Sequence, residues 1–168
     1  ALAGALTEHL VATTQRLVYA VALAAAPGVA AGLVLGLIQP LRALLNPYVA
    51  VLYTVPKVAI LPLVMIILGP TEEAIVVTAS LSAMAQIIVS TMAGVGSIEP
   101  VLLEAGRNFG AAGWRFYTKV LLPAALPPIW TGLRLGMGLA LTMVVVIEFI
   151  TAQNGLGHLV WRDWNQLL

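Results

Sequence analysis

Long apolar segments alternate with short polar ones along this chain, and the apolar segments are long enough to cross a membrane as helices. Segments 17–38 and 74–95 contain no charged residue, whereas 48–68 and 129–151 contain one or two. A helix needs roughly 20 apolar residues to cross a hydrocarbon core of about 30 Å. Because backbone groups in lipid must be hydrogen-bonded internally, we expect an all-α membrane protein with four spans. The prolines expected to bend these spans are Pro27, Pro56 and Pro62.

Small residues recur at intervals of four in the first and the last span. Such ridges allow two helix backbones to approach closely. We expect them to pack helices within one subunit, and a contact between two subunits is the alternative. The residues are Gly28, Gly32 and Gly36 in the first span, and Gly132, Gly136 and Ala140 in the last.

Three ionisable residues lie within the predicted spans, where a charge is costly and usually faces a cavity or a partner. Arg134 and Glu148 are 14 residues apart, or about 21 Å along a helix, so they cannot pair with each other. Both lie near a span end, and we expect their side chains to extend to the membrane interface. Lys57 lies deeper and follows Pro56, which makes it a candidate for a translocation path.

A stripe of polar residues runs along the third span at intervals of four. Because this spacing returns to nearly the same helix face, the side chains share one side of an otherwise apolar helix. They either hydrogen-bond neighbouring helices or line a path through which a hydrophilic anion passes. Both interpretations remain open, with Thr78, Ser82 and Gln86 as the path candidates. The stripe consists of Thr78, Ser82, Gln86 and Ser90.

Composition excludes several other classes of protein. The chain is 61% hydrophobic and 9% charged, with a mean hydropathy of +1.01, values typical of a membrane protein. Its net charge of +1 gives no reason to expect a nucleic-acid partner. It has no cysteine, no glycine-rich phosphate-binding motif and no nucleophile elbow, so we expect neither an enzyme nor a cofactor on this chain. We interpret residues 1–168 as one transmembrane domain of a longer subunit.

The distribution of basic residues predicts the orientation. Four spans place the 39–47 and 96–128 segments on one side of the membrane, and the 69–73 turn on the other. The first side carries more basic residues, and basic loops usually stay in the cytoplasm. We therefore expect the 96–123 loop to be cytoplasmic and both ends of the chain to lie outside. The basic residues on the predicted cytoplasmic side are Arg42, Arg107, Arg115 and Lys119.

The 96–123 loop is charged and punctuated by turn residues. Pro100 suits the first position of a helix, and the apolar residues that follow recur at helical spacing. Gly110 suits the left-handed stop at a helix end. A second short helix, 111–117, is expected to end by Pro123. An amphipathic hairpin lying on lipid headgroups is the alternative interpretation of this loop.

The spacing within this loop resembles a known signature. Glu104-Ala105-Gly106 is followed by Gly110 and then by Val120-Leu121-Leu122-Pro123. The pattern resembles the EAA-x3-G-x9-I-x-LP loop of permease subunits in binding-protein-dependent ABC importers. Gly106 replaces the usual second alanine, and Ala112 stands where a capping serine is common. The further matches Leu133-Arg134-Leu135 and Gly155-Leu156-Gly157 are similar to the nitrate/sulfonate/taurine branch.

This resemblance implies a type I importer transmembrane core whose 96–123 loop forms a coupling helix. It implies a dimer of ABC ATPase subunits as partner, with ATP and Mg on those subunits. It also implies a second permease subunit, most simply a homodimer, and an extracytoplasmic binding protein. The setting would be the bacterial inner membrane, and the solute a small organic or inorganic anion. The implied ATPase contacts are Leu103, Glu104, Ala105, Gly106, Arg107, Asn108, Phe109, Gly110, Ala111 and Trp114.

An ion-coupled secondary transporter or a channel without an ATPase is the alternative function. Inverted repeats and acidic residues at mid-membrane would favour it. The sequence shows no such repeat, and Glu148 lies near a span end.

Overall fold

The structure, a computed structural model, describes residues 2–151 and 153–167. Most of these residues are helical and none of them lies in a strand, which confirms the all-α prediction. The α-helices are α1 (Leu2–Leu37), α2 (Gln39–Thr54), α3 (Leu61–Leu68), α4 (Glu72–Gly96), α5 (Pro100–Asn108), α6 (Trp114–Phe116), α7 (Leu122–Thr151) and α8 (Leu156–Gln166). A 3₁₀ turn at Lys57–Ile60 precedes α3, and a π-helical turn at Tyr117–Leu121 joins α6 to α7.

Three uninterrupted helical stretches are long and apolar enough to cross a membrane. They are Leu6–Leu37, Glu72–Gly96 and Trp114–Thr151. The last two contain the predicted spans 74–95 and 129–151, and the first covers the predicted span 17–38 except for Ile38. A fourth crossing exists if the bent pair Gln39–Thr54 and Lys57–Leu68 counts as one span.

The predicted span 48–68 is not one straight helix, because its two halves meet at an angle of 87°. The break lies at Val55 and Pro56, which both have extended backbone conformations. Proline disfavours helical geometry in the residue before it and removes a helix donor, so Pro56 bends this span as predicted. Pro62 is tolerated in the first turn of α3, and Pro27 lies inside α1 without interrupting it.

Helix α4 is the central helix, with α1 and α7 packed against it. A Cβ atom added to Gly32 or Gly36 on α1 would come within 2.5 Å of a side chain on α4. On α7, a Cβ atom added to Gly136 would come within 2.9 Å of Ile87 on α4. The two small-residue ridges therefore pack helices within the subunit, as predicted, and they set how closely α1 and α7 approach α4.

The prediction that a short helix ends by Pro123 is wrong. Helix α6 continues through the π-helical turn into α7, so that residues 114–151 form one helical stretch. A proline ring normally clashes with the carbonyl four residues earlier. In the π-helical turn the Leu122 amide donates to Tyr117 O, five residues back, and this wider turn precedes Pro123. The loop is thereby joined directly to the last span.

Candidate functional site

Helix α5 and the turn after it expose large apolar side chains. Four of them, Val101, Leu102, Phe109 and Trp114, are called the loop patch below; Phe109 and Trp114 are 92% and 79% exposed. Of the other predicted ATPase contacts, Glu104, Arg107, Asn108 and Gly110 are exposed, whereas Leu103, Ala105, Gly106 and Ala111 are half-buried. None of the predicted contacts is fully buried, so this whole segment can meet a partner.

The end of α5 is held by backbone hydrogen bonds. Gly110 donates to Arg107 O at 2.9 Å, and Ala111 donates to Gly106 O at 3.0 Å. These two bonds, with Gly110 at φ 82°, form a Schellman cap. The left-handed stop predicted at Gly110 is present, and it fixes the chain direction just before Trp114.

The inner side of α5 lies against the start of the α6–α7 stretch. A Cβ atom added to Gly106 would come within 2.8 Å of the Val120 side chain. The Arg107 guanidinium carbon lies 5.2 Å from the centre of the Phe116 ring, within the range of a cation–π contact. The glycine that departs from the signature therefore allows a close approach between α5 and this stretch. A displacement of α5 would press directly on the segment that leads into α7.

The break between α2 and α3 forms one side of a cleft of about 440 Å³. Helix α4 contributes Ser82, and α7 contributes Leu139, Thr142 and Met143. The break itself contributes Tyr53, Thr54, Val55, Pro56 and Lys57. Lys57 is buried, and its Nζ donates to the backbone carbonyl of Tyr53 at 2.8 Å. The structure thus brings together two of the predicted path residues, Lys57 and Ser82.

The other two path candidates lie outside the lining of this cleft. Thr78 is fully buried and donates to Ala74 O at 2.8 Å, within its own helix. Gln86 donates to Ser90 Oγ at 3.0 Å, again within α4. Ser82 makes a long contact of 3.5 Å to Thr78 O. These bonds all stay inside α4, so they do not support the interpretation that the stripe bonds neighbouring helices.

A buried ionic cluster, which the sequence analysis missed, joins α1, α4 and α7. All five N–H donors of the Arg16 guanidinium are used, and Arg16 is 4% exposed. Two bonds of 2.5 and 2.6 Å reach the Glu72 carboxylate, and one of 2.6 Å reaches Glu148. The remaining two reach Asn154, one at its backbone oxygen at 2.9 Å and one at its side-chain oxygen. We call Arg16, Glu72, Glu148 and Asn154 the Arg16 cluster.

Glu148 does not extend to the interface as predicted, because its side chain is fully buried in this cluster. In addition to the bond from Arg16, the Glu148 carboxylate accepts hydrogen bonds from Thr13 Oγ1 at 2.9 Å and from the Gly157 amide at 3.1 Å. A Cβ atom at Gly155 or Gly157 would overlap Glu148, and Gly155 has a φ of 108°. The Gly155-Leu156-Gly157 segment therefore wraps the carboxylate and needs both glycines. Arg134, by contrast, is exposed.

Among the residues that the structure describes, no group of three His, Cys, Asp or Glu side chains could hold a metal ion. The candidate site thus consists of the exposed 96–123 loop, the cleft beside Lys57 and the Arg16 cluster. Helix α7 contributes to the cleft and to the cluster, and it is joined to the loop.

The loop signature and the helical arrangement agree with a comparison to known families. Residues 28–165 match the family described as "Binding-protein-dependent transport system inner membrane component". The chain belongs to this family. It is therefore a permease-type chain of ABC transport systems with the type I importer fold, as its loop indicated.

Individual members of this family are similar to the chain over most of its length. It is 36% identical to the taurine transport system permease protein TauC of Escherichia coli K12, over 92% of this chain and 56% of that protein. It is 31% identical to the nitrate import permease protein NrtB of Leptolyngbya laminosa, over 94% of this chain and 56% of that protein. The chain thus spans little more than half the length of these relatives.

Proposed function

We propose that this chain is the core of the permease subunit of an ATP-driven importer in the bacterial inner membrane. Two permease subunits would form the path, and an extracytoplasmic binding protein would deliver a small oxyanion. ATP and Mg would bind to separate ATPase subunits. The family membership supports this arrangement, and the names of the taurine and nitrate relatives support a sulfonate or nitrate as the solute.

The loop patch is the observation that carries this proposal. Phe109 and Trp114 are large, exposed apolar side chains on either side of the hydrogen-bonded cap of α5. Aromatic side chains of this kind are typical anchors of protein–protein interfaces. The charged Glu104 and Arg107 lie beside them on α5, as the polar rim of an interface would require. We infer that an ATPase subunit covers this surface.

The continuous helix after the loop gives a mechanical route from the ATPase to the path. At 1.5 Å per residue, the 38-residue stretch Trp114–Thr151 extends over about 57 Å. Its first turns contact α5, its last third lines the cleft at Thr142, and its end holds Glu148 in the Arg16 cluster. When ATP closes the ATPase dimer, pressure on α5 would tilt this helix and change the width of the cleft.

The cleft itself is open on the surface of one subunit, where Tyr53 and Leu139 remain exposed. A second copy of the permease facing this side would enclose it. The enclosed space would then be lined by Lys57, Ser82 and Thr142. Lys57 and Ser82 offer N–H and O–H donors to an anion, whereas the Thr142 hydroxyl donates to Gly138 O at 3.0 Å.

Co-purification separates this function from an ion-coupled transporter or channel. The full-length permease should be extracted gently together with its encoded ATPase and reconstituted in proteoliposomes. We expect a stable complex and uptake of taurine or nitrate that needs both ATP and the binding protein. Uptake by the permease alone, driven by an ion gradient, would support the alternative function instead.

A further inference from the structure

Lys57 is a buried cation, and within residues 2–151 and 153–167 no acidic side chain forms an ion pair with it. Its side chain is 7% exposed and donates one described hydrogen bond, to Tyr53 O. The described ion pairs involve Arg16 and Arg162 but not Lys57. Arg16, the other buried cation, is instead neutralised by two carboxylates. Lys57 thus lines the cleft as a buried ammonium group that no described carboxylate neutralises, and an anion there would be favoured.

The surroundings of Lys57 add a hydrogen-bond donor to this charge. Ser82 on α4 and Thr142 on α7 line the same cleft, and the Thr142 hydroxyl donates to Gly138 O at 3.0 Å. The Ser82 hydroxyl makes only a long 3.5 Å contact to Thr78 O, so little is lost when it turns toward a ligand. Met143 and Leu139 complete the wall with apolar surface. A single charge, one weakly engaged hydroxyl donor and an apolar wall suit a small oxyanion that carries an apolar or compact body.

We propose that Lys57 binds the negatively charged group of the solute, with Ser82 as a further donor, and so makes the cleft selective for anions. This inference rests on the proposed import function. It goes beyond that function by placing charge selection in the membrane domain itself, in addition to any selection by a binding protein.

A structural role for Lys57 has to be separated from the proposed role in binding the solute. The Tyr53 carbonyl lies in the last turn of α2, where it lacks an intrahelical donor because Pro56 has ended the helix. Lys57 caps that carbonyl and also suits the negative end of the helix dipole. Lys57→Gln keeps a donor that can reach the carbonyl and removes the charge, whereas Lys57→Arg keeps the charge. If capping were the whole role, both variants would behave like the native protein.

Thiol modification tests the charge of the cleft directly. The 168 residues contain no cysteine, so Ser82→Cys can be introduced alone into the full-length permease after removal of any cysteine elsewhere. The complex with its ATPase is then treated with an anionic methanethiosulfonate reagent that carries a sulfonate, or with its cationic trimethylammonium counterpart. Glu73→Cys, at an exposed position outside the cleft, gives the reference ratio of the two rates.

We expect the anionic reagent to be favoured at Ser82→Cys, relative to the reference, by about tenfold for a nearby unscreened unit charge. Adding Lys57→Gln should abolish that preference, and adding Lys57→Arg should preserve it. An equal ratio with Lys57 and with Gln at this position would overturn the inference, as would a thiol that reacts with neither reagent. If Ser82→Cys does not fold, Thr142→Cys reports on the same cleft.

Uptake measurements keep this inference separate from the function it rests on. In a complex that imports an oxyanion, Lys57→Gln should reduce uptake at least tenfold with normal binding of the ATPase, and Lys57→Arg should retain most of it. Unchanged uptake with Lys57→Gln would contradict the inference while leaving the import function intact. If the native complex imports no anion at all, the import function fails, and the thiol ratios still decide the charge of the cleft.

Discussion

Removing the Arg16 guanidinium tests the buried ionic cluster, which joins the interior of α1 to the start of α4 and the last turns of α7. Arg16 is the cation that neutralises Glu148, whose side chain has no exposed surface. In Arg16→Gln, the Glu148 carboxylate would keep its bonds from Thr13 and Gly157 but lose its counter-charge. We therefore expect a substantial loss of stability from this single change.

The size of the loss follows from the burial of each partner. Leaving one partner of a buried ion pair without the other costs roughly 3–5 kcal/mol, and we expect Arg16→Gln to fall in this range. Glu72 is a matched control, because it binds the same guanidinium but its side chain is 62% exposed. Replacing it with glutamine leaves Glu148 paired, so Glu72→Gln should cost about 0–1 kcal/mol.

Denaturant unfolding in mixed micelles, followed by tryptophan fluorescence, measures these differences. Adding Glu148→Gln to Arg16→Gln removes the unpaired charge, and most of the lost stability should return. If Arg16→Gln and Glu72→Gln lower the free energy of unfolding by the same amount, the cluster is not stabilised by a buried charge pair and the reasoning is refuted. A double variant less stable than Arg16→Gln alone would lead to the same conclusion.

Three further predictions address orientation, the loop cap and helix packing. Single cysteines in intact cells should react with an impermeant maleimide at Glu73→Cys and not at Asn108→Cys; the reverse pattern would overturn the predicted orientation. Gly110→Leu forces a side chain into a left-handed conformation at a cost of about 1–2 kcal/mol, and it should abolish stimulated ATP hydrolysis without preventing insertion. Gly138→Leu is the matched control, because no atom lies within 4 Å of its added Cβ and its φ is not positive; normal hydrolysis in both variants would exclude Gly110 from coupling. Gly32→Leu should prevent folding of the subunit, as judged by gel filtration, because its Cβ would lie 2.5 Å from an α4 side chain; a folded variant would show that α1 does not pack this closely.

Local signals in the sequence were sufficient for much of the fold. Hydropathy located the three long helices, Pro100 and Gly110 marked the ends of α5, and the small-residue ridges indicated the packing of α1 and α7. Each of these features is determined by residues close together along one helix, so the spacing of residues in the sequence is enough to predict it. The angle at Pro56 could not be read from the sequence in this way. A proline predicts a bend, but the 87° between α2 and the segment after Pro56 depends on what each of the two helices packs against.

The Arg16 cluster shows where local reasoning was insufficient. Within its own span Glu148 has only Arg134 as a basic residue, about 21 Å away, whereas its partner Arg16 lies on α1. The expected orientation does place Arg16 and the end of the last span on the same side of the membrane. The pairing depends on α1 and α7 lying together, with Gly155-Leu156-Gly157 closing over the carboxylate. The continuous helix through Pro123 was missed for a related reason, since the π-helical turn that accommodates the proline has no simple sequence signal.

The central claim is that the loop patch couples an ATPase subunit to transport, and one measurement tests it most directly. ATP-dependent oxyanion uptake and ATPase binding are compared for the native permease, for Phe109→Ala with Trp114→Ala, and for Trp130→Ala. Trp130 is the matched control, because it is 67% exposed but lies on α7 away from the loop. Since interface anchors contribute about 2 kcal/mol or more each, the loop variant should bind the ATPase at least tenfold more weakly and lose uptake. Full ATPase binding and uptake in the loop variant would contradict the account.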